Sequence, residues 1–288
     1  MRILVGLVAG LLCAAGPEHV ILIGVDGMGS EGVAAMRKAG RIPNLDALMK
    51  RGTWTLKARA VMPTVSSPNW ASAVMGAGPE EHGITSNAWE RNKLTITPVC
   101  KGSEEIFPTL VSVWRGARPK AKIAVIHDWD GFGRLVEKSA ANLVEHVKGG
   151  ARKTMDRAVS YWKSERPELL VVHLDDVDHA GHEHTWGSAK YLDAIAEADA
   201  QIGDMVNAVK EAGKLERTLF VVVADHGGTG TKHGGETMAE LEIPWILAGP
   251  GVAKGQEIRE AVSIVDTAPA IAKRVGLRTP PCWTGRAR

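Results

Sequence analysis

Short apolar runs alternate with longer amphipathic segments along most of this chain. The runs are rich in Val, Ile and Leu, which is typical of strands that are buried on both faces of a sheet. We interpret five of them as buried parallel strands, at residues 20–25, 122–126, 169–174, 219–224 and 244–249. The alternation of strands with helical segments predicts an α/β fold, with a doubly wound, mostly parallel sheet sandwiched between helices.

Three segments between these runs have hydrophobic residues at helical spacing. They cover residues 44–52, 151–165 and 188–213, and the last one ends at Gly213, a residue type common at helix C-termini. No Pro/Ser-rich linker, charge run or internal repeat divides the sequence. We therefore predict a single catalytic domain over residues 16–288.

The first residues have the pattern of an export signal. In MRILVGLVAGLLCAAG one Arg precedes an apolar run that ends in small residues. This predicts a signal peptide at residues 1–15 and a secreted or periplasmic protein. Cys13 raises the question of a lipid anchor, although Leu12 is a poor match to the small residue that lipid attachment needs. No other apolar stretch approaches the ~20 residues of a membrane span, so we expect no transmembrane anchor after signal cleavage.

Charge and cysteine content narrow the classes of partner. The 35 basic and 33 acidic residues are interspersed and leave a formal charge of +2, so neither a nucleic-acid-binding surface nor a basic membrane surface is indicated. After signal cleavage Cys100 and Cys282 are the remaining cysteines. In an oxidising compartment they could pair, and two solitary buried thiols are the alternative.

Three aspartates lie where predicted strands end. Asp26 directly follows the first run, Asp178 lies just beyond the third and Asp225 directly follows the fourth. Open α/β sheets bind ligands at this edge, because the carboxyl ends of parallel strands meet there. Histidines come close behind, and imidazole with carboxylate suits Zn²⁺. The candidate metal-binding histidines are His182, His226 and His233.

A candidate nucleophile lies in the segment MPTVSSPNW (62–70). Pro68 is typical of a first helical turn, so Ser66 and Ser67 are expected at a helix N-terminus. The free N–H groups and the dipole at such an end favour an anion, for example a phosphoryl group. The alternative from the residues alone is that one of these serines only caps the helix.

Eight motifs in order give this chain a resemblance to a known family. It resembles the nucleotide pyrophosphatase/phosphodiesterase branch of the alkaline phosphatase superfamily over nearly the whole of residues 16–288, which implies an alkaline-phosphatase-like fold with two zinc ions. The motifs are GVDGMG (24–29), IPNLDALMKRG (42–52), MPTVSSPNW (62–70), EEHGITSN (80–87), DVDHAGHEHTWG (176–187), VVADHGG (222–228), KHGG (232–235) and SIVDTAPAIAKRVGL (263–277).

The resemblance implies a role for each site residue. Ser66 takes the position of the family's nucleophile, with Thr64 and Ser67 as alternatives, and Asn87 lies twenty-one residues further on, where the family binds a phosphate oxygen. The implied reaction is the hydrolysis of a phosphodiester or pyrophosphate bond in a small-molecule phosphate ester. It would proceed through a covalent phosphoseryl intermediate and would need no organic cofactor. One implied metal site consists of Asp178, His182 and His233, and the other of Asp26, Asp225 and His226.

Two positions depart from the nucleotide-cleaving relatives. Those proteins carry an aromatic residue after the nucleophile and another five residues before the first-zinc aspartate, whereas this chain has Ser67 and His173. We predict Asn87, Ser67 and His173 as the substrate-binding residues. We also expect the site to accept a broad range of esters. The alternative functions are a phosphomonoesterase or phosphonate hydrolase, a sulfatase and a non-catalytic binding module. The sulfatase motif needs an Arg at the position that Trp70 occupies.

Overall fold

The computed structural model describes residues 16–288 and contains one eight-stranded sheet. Its strands lie in the order β4-β3-β5-β1-β6-β7-β2-β8. The predicted signal peptide and Cys13 lie outside the described residues. The strands are β1 (His19–Val25), β2 (Gly52–Arg59), β3 (Ile123–His127), β4 (Leu143–His146), β5 (Leu169–Leu174), β6 (Thr218–Val223), β7 (Glu242–Ala248) and β8 (Gln256–Glu257).

Helices occupy the connections between most strands. Their lengths range from four residues in the shortest to 23 in the longest. The helices are α1 (Ser30–Lys38), α2 (Pro43–Arg51), α3 (Ser66–Met75), α4 (Pro79–His82), α5 (Leu110–Ala117), α6 (Ala151–Glu165), α7 (Asp176–His184), α8 (Ala189–Glu211), α9 (Met238–Leu241) and α10 (Thr267–Val275). Short 3₁₀ turns lie at Ser103–Glu105, Asp130–Arg134, Lys138–Ala140, Leu215–Arg217 and Ile264–Asp266.

The sheet confirms the predicted α/β class. Strands β4, β3, β5, β1 and β6 run parallel, and every residue of β1, β5 and β6 is buried. Two groups of helices pack around the sheet, one made of α1, α2, α6, α7 and α8 and the other of α3, α4, α5 and α10. Strands buried on both faces need such cover, which explains their continuous apolar sequences.

One predicted strand has the wrong orientation. The run at 244–249 forms β7, but β7 pairs antiparallel with both β6 and β2. The segment between β6 and β7 contains only the four-residue helix α9, so it returns at the same edge of the sheet. A parallel pairing would need a connection that carries the chain back to the opposite end of the strands, usually through a longer helix that packs on the sheet. The apolar runs did not predict the edge strands β4 and β8 or the strand β2 between β7 and β8.

The three predicted helices are confirmed with small shifts at their ends. They correspond to α2, α6 and α8, and the residue after α2, Gly52, already begins β2. A Cβ on Gly52 would lie 1.8 Å from the carbonyl oxygen of Leu247 in β7, so only glycine permits this pairing. The switch from helix to strand therefore depends on one residue without a side chain.

A disulfide joins Cys100 to Cys282, with a Cα–Cα distance of 6.6 Å. Of the two alternatives that the sequence left open, the structure has the paired form. The bond links the loop before α5 to the chain after α10. Over residues 16–288, no helix combines the length and the apolar character that crossing a bilayer requires.

Candidate metal and phosphate site

The order of the central strands brings the predicted site residues together. Because β5, β1 and β6 are neighbours, their carboxyl ends form one continuous edge. Asp26 directly follows β1, Asp225 lies two residues after β6, and Asp178 lies in the first turn of α7, which follows β5. The sequence places these residues at three separate points of the chain, and the parallel pairing makes them neighbours.

Asp26, Asp225 and His226 form one cluster whose ligand atoms lie within 4.8 Å of one another. The Nε2 atom of His226 is 3.4 Å from Oδ1 of Asp26 and 3.2 Å from Oδ2 of Asp225. Gly27 supports the cluster, since its N–H donates to Oδ1 of Asp225 over 3.1 Å. Gly27 has φ of +67°, and a Cβ there would lie 2.7 Å from the Cα of Asp178. Only glycine tolerates both the conformation and the close approach.

Asp178 is the centre of the other predicted cluster. Its Oδ2 is 3.4 Å from Nε2 of His182, one turn further along α7, and its Oδ1 is 3.7 Å from Nε2 of His233. Asp178 and His233 also group with His226 within 4.8 Å. The rings of His226 and His233 stack at 3.8 Å. The two clusters are therefore adjacent and could hold a pair of ions between them.

The three histidines share one hydrogen-bonding arrangement. In each ring Nδ1 donates to a backbone carbonyl over 2.9 Å, which leaves Nε2 unprotonated and directed at the carboxylates. Metal-bound histidines have this arrangement, because the second hydrogen bond selects the tautomer and the ring orientation. The acceptors are Thr231 for His182, Gly227 for His226 and Thr64 for His233.

Each of the three aspartates has one buried carboxylate oxygen that no side chain or backbone group of the described structure satisfies. Oδ1 of Asp26, Oδ1 of Asp178 and Oδ2 of Asp225 are buried without a hydrogen-bond partner. Burial, with the charges of Asp26 and Asp175, raises the pKa of Asp178 to about 9. Burial also raises the pKa values of Asp26 and Asp225 well above the usual range, as does repulsion from neighbouring carboxylates. Unpartnered buried oxygens of this kind need an explanation, and bound cations supply one.

The histidines fit the same interpretation. Burial and the nearby ring of His226 lower the pKa of His233 to about 4, and burial lowers the pKa of His226. Both rings are therefore neutral at pH 7, which is the form that binds a metal ion. The donor set of three carboxylates and three imidazoles fits two divalent cations.

Ser66 is the first residue of α3, as the sequence predicted. The residue before the helix, Val65, provides no side-chain cap, and the first turn of the helix contains no acidic residue. The Oγ atom of Ser66 lies 3.5 Å from Nε2 of His226, so the hydroxyl faces the Asp26 cluster. The N–H of Ser67 donates to Oδ1 of Asn87 over 2.7 Å. A helix N-terminus, a hydroxyl and an exposed amide thus lie together beside the carboxylates.

The other two hydroxyls have different surroundings. Thr64 is wholly buried, and its Oγ1 donates to the carbonyl of Gly235 and accepts from the N–H of Gly234. These bonds hold the loop that carries His233 against the start of α3. The side chain of Ser67 is buried at the helix N-terminus.

His173 is the predicted site residue whose position differs most from expectation. Its side chain has no exposed surface and lies in β5 beneath Asp26, with Nε2 3.1 Å from Oδ2 of that residue. A wholly buried ring has no face to offer to a substrate, so we do not retain His173 as a substrate-binding residue. The sequence could not reveal this, because the position depends on the packing under β1.

Several supporting residues were not identified from the sequence. Asn69 is buried in α3 and its amide binds the carbonyls of three preceding loop residues, so it fixes the loop before Ser66. The indole of Trp186 donates to the carbonyl of Gly27 and packs edge-on against His182. Tyr191 donates to the same carbonyl from α8. Nothing in the sequence around these residues distinguishes them from residues that only pack in the fold.

The similarity to known proteins agrees with this geometry. Residues 20–254 match the family model described as type I phosphodiesterase / nucleotide pyrophosphatase. The chain belongs to this family. Ectonucleotide pyrophosphatase/phosphodiesterase family member 1 of Homo sapiens is 27% identical over 226 residues, which make up 75% of this chain and 24% of that protein. Venom phosphodiesterase 2 of Crotalus adamanteus is 26% identical over 235 residues, or 75% of this chain and 28% of that protein. The chain thus spans about a quarter of these relatives.

Several solved structures share the fold of this chain. Human ectonucleotide pyrophosphatase/phosphodiesterase 5 superposes with a TM-score of 0.76 and 16% identity, covering 93% of this chain and 97% of that one. A 2-O GAG sulfatase superposes with a TM-score of 0.73 and 17% identity, covering 94% of this chain and 73% of that one. At these identities the likeness shows a common fold alone.

Proposed function

We propose that this protein hydrolyses phosphate diesters or pyrophosphates with two divalent metal ions and Ser66 as the nucleophile. The observation that carries the proposal is the position of the Ser66 hydroxyl, at the N-terminus of α3 and 3.5 Å from Nε2 of His226 in the Asp26 cluster. Membership of the type I phosphodiesterase family supports the reaction class.

The metal-binding set follows from the two adjacent clusters. Zinc fits the mixture of carboxylate oxygens and imidazole nitrogens, and the partnerless buried oxygens support two cations. When bound, the ions would stabilise the serine alkoxide and the leaving oxygen electrostatically. The proposed first site is Asp178, His182 and His233, and the proposed second site is Asp26, Asp225 and His226.

The side chains supply the remaining chemistry. Oγ of Ser66 loses its proton and attacks phosphorus, the bond to the leaving alcohol or phosphate breaks with a proton taken up by the leaving group, and a phosphoseryl ester forms. Water then attacks that ester and releases a phosphate monoester. The N-terminus of α3 and the Asn87 amide stabilise charge on the non-bridging oxygens, because both present dipoles at the place where negative charge collects. Ser67 contributes its backbone N–H by orienting Asn87.

Surroundings of the alternative hydroxyls favour Ser66. The hydroxyl of Thr64 is engaged with Gly234 and Gly235, so its removal would disturb the loop that carries His233.

Export is the second part of the proposal. The bond between Cys100 and Cys282 supports an oxidising compartment, in agreement with the export pattern of the first residues.

Turnover on two chromogenic esters tests the function. We expect the zinc-loaded protein to have a higher kcat/KM on bis-p-nitrophenyl phosphate than on p-nitrophenyl phosphate. Ser66→Ala should lower turnover by at least about a thousandfold while zinc content stays unchanged, since the side chain is a nucleophile rather than a ligand. Ser164→Ala, on the exposed face of α6, is the matched control and should behave as the wild type.

Each other outcome has a distinct meaning. Preference for the monoester would assign the protein to the phosphatases. Substantial activity in Ser66→Ala would transfer the nucleophile to Ser67 or Thr64. A zinc-loaded wild type without activity on either ester would contradict hydrolysis of phosphate esters and would favour a sulfatase or a binding module.

A further inference from the structure

One oxygen of Asp26 faces away from the proposed metal site and has its own pair of partners. The indole Nε1 of Trp70 lies 2.8 Å from Oδ2 of Asp26, and Nε2 of His173 lies 3.1 Å from the same atom. The opposite oxygen, Oδ1, has no hydrogen-bond partner and points towards His226. The two oxygens of this carboxylate therefore have different surroundings.

The protonation of His173 distinguishes it from the three metal-site histidines. Those rings have Nδ1 bonded to a backbone carbonyl, whereas Nδ1 of His173 is buried without a partner. If His173 bound a metal through Nε2, its proton would be on Nδ1, as a buried donor without an acceptor, which is a costly arrangement. A proton on Nε2 instead donates to Oδ2 of Asp26. His173 is thus a donor and not a ligand.

The same contacts argue against a third metal ion at this position. Asp26, His173 and Asp175 have ligand atoms within 4.8 Å of one another. An indole N–H can only donate, so Trp70 occupies the space in which an ion on Oδ2 would have to sit. Asp175 is engaged as well, because its Oδ2 lies 3.1 Å from Nε2 of His179.

Packing holds both donors in place. A Cβ on Gly24 would lie 2.5 Å from the indole of Trp70, so glycine at this point of β1 makes room for the ring. Trp70 and His173 pack edge-to-face at 5.1 Å, and Phe132 contacts both rings. Neither ring can turn without displacing the others, which gives the two N–H groups fixed directions.

We propose that Trp70 and His173 act as a donor pair that positions Asp26, holding Oδ2 with two neutral N–H groups so that Oδ1 is directed at the second metal ion. The proposal rests on the proposed function for the metal ions and names two positioning residues of that site. Partners of ligands commonly contribute about 10- to 100-fold in metal affinity. Neutral donors orient the carboxylate without cancelling the charge that binds the ion.

Zinc affinity, measured by competition with a chromophoric chelator, tests the donor pair. Trp70→Phe keeps a ring against Gly24 and Phe132 but lacks the N–H, and His173→Phe likewise removes a donor. We expect each to weaken the binding of one of the two zinc ions about tenfold or more, and the other ion by less than about threefold. His173→Gln restores an N–H near the position of Nε2 and should recover most of the loss.

Trp245→Phe is the matched control, since it also removes a buried indole N–H bond, to Thr267, but lies in β7 away from Asp26. Affinities unchanged in Trp70→Phe, or reduced equally in Trp245→Phe, would overturn the donor pair. So would a wild type that binds three zinc ions and loses one in His173→Phe. A wild type that binds two ions but hydrolyses no ester would contradict only the proposed function.

Discussion

Buried carboxylates at the site make the metal-free protein less stable than its core would allow. Asp178 is 8% exposed, its Oδ1 has no hydrogen-bond partner, and two further buried aspartates lie close by. Each of the three carboxylates has one buried oxygen without a hydrogen-bond partner, which costs free energy in the folded state. Cations bound at the proposed site would reverse this balance, so the residues that destabilise the metal-free protein are the proposed metal ligands.

The pH dependence of the metal-free protein follows from Asp178. In the unfolded chain this carboxyl loses its proton near pH 4, whereas burial and neighbouring charges raise its folded-state pKa to about 9. Over that window the folded state binds more protons than the unfolded state. The contribution of Asp178 to the free energy of unfolding therefore falls as the pH rises from about 4 to about 9.

Asp178→Asn should remove this contribution. In EDTA at pH 8 we expect the variant to exceed the wild type by about 2 kcal/mol in the free energy of unfolding, with a flatter pH profile, measured by urea denaturation. Asp204→Asn, at an exposed position on α8, should change neither quantity. With zinc present the order should reverse, because the variant lacks a ligand. A variant less stable than the wild type in EDTA would contradict the argument.

At the scale of secondary-structure elements, a side chain of helix α8 caps the N-terminus of helix α2. The residue before α2 is Ile42, which has no capping side chain. Asp199 of α8 accepts instead, through Oδ1 from the N–H of Leu45 over 2.7 Å and through Oδ2 from the N–H and side-chain amide of Asn44. A capping carboxylate also interacts favourably with the helix dipole. The contact joins segments about 155 residues apart in sequence.

Asp199→Ala should therefore lower the free energy of unfolding by about 1–3 kcal/mol, because buried N–H groups of α2 lose their acceptor. Urea denaturation of the zinc-loaded protein measures the change. Asp204→Ala is the control on the same helix. It breaks an ion pair with Arg152 in which both side chains are about half exposed, so we expect less than about 0.5 kcal/mol. Equal losses in the two variants would show that Asp199 does not act as a cap.

For the whole molecule, the bond between Cys100 and Cys282 closes a long part of the chain, since 182 positions separate the two residues. A cross-link restricts the unfolded chain more than the folded one. The double substitution Cys100→Ser with Cys282→Ser should lower the free energy of unfolding by about 2–4 kcal/mol. Neither cysteine belongs to the clusters of possible metal ligands, so we expect zinc content to be retained.

Wild-type protein in reductant is the control for this prediction and should match the double variant. The measurement is urea denaturation with and without dithiothreitol. An oxidised wild type that unfolds at the same urea concentration as the double variant would show that the bond adds no stability.

The sequence by itself determined the class of the fold and supplied the candidate site residues. Apolar runs predicted the five main strands, because strands covered on both faces must be apolar throughout. The motifs around Asp26, Asp178 and Asp225 predicted candidate metal ligands that the fold brings together, because each aspartate lies at or just after a strand end. These signals are local in the chain, so periodicity and spacing can reveal them.

Tertiary structure alone decided the features that depend on distant segments. The antiparallel direction of β7 depends on how the His233 loop returns to the sheet, and the edge strands depend on their partners. The position of His173 beneath Asp26, opposite the indole of Trp70, depends on the packing of β5 against β1 and α3. These roles depend on which residues lie close together in space. The sequence pattern does not indicate them until the strand order is known.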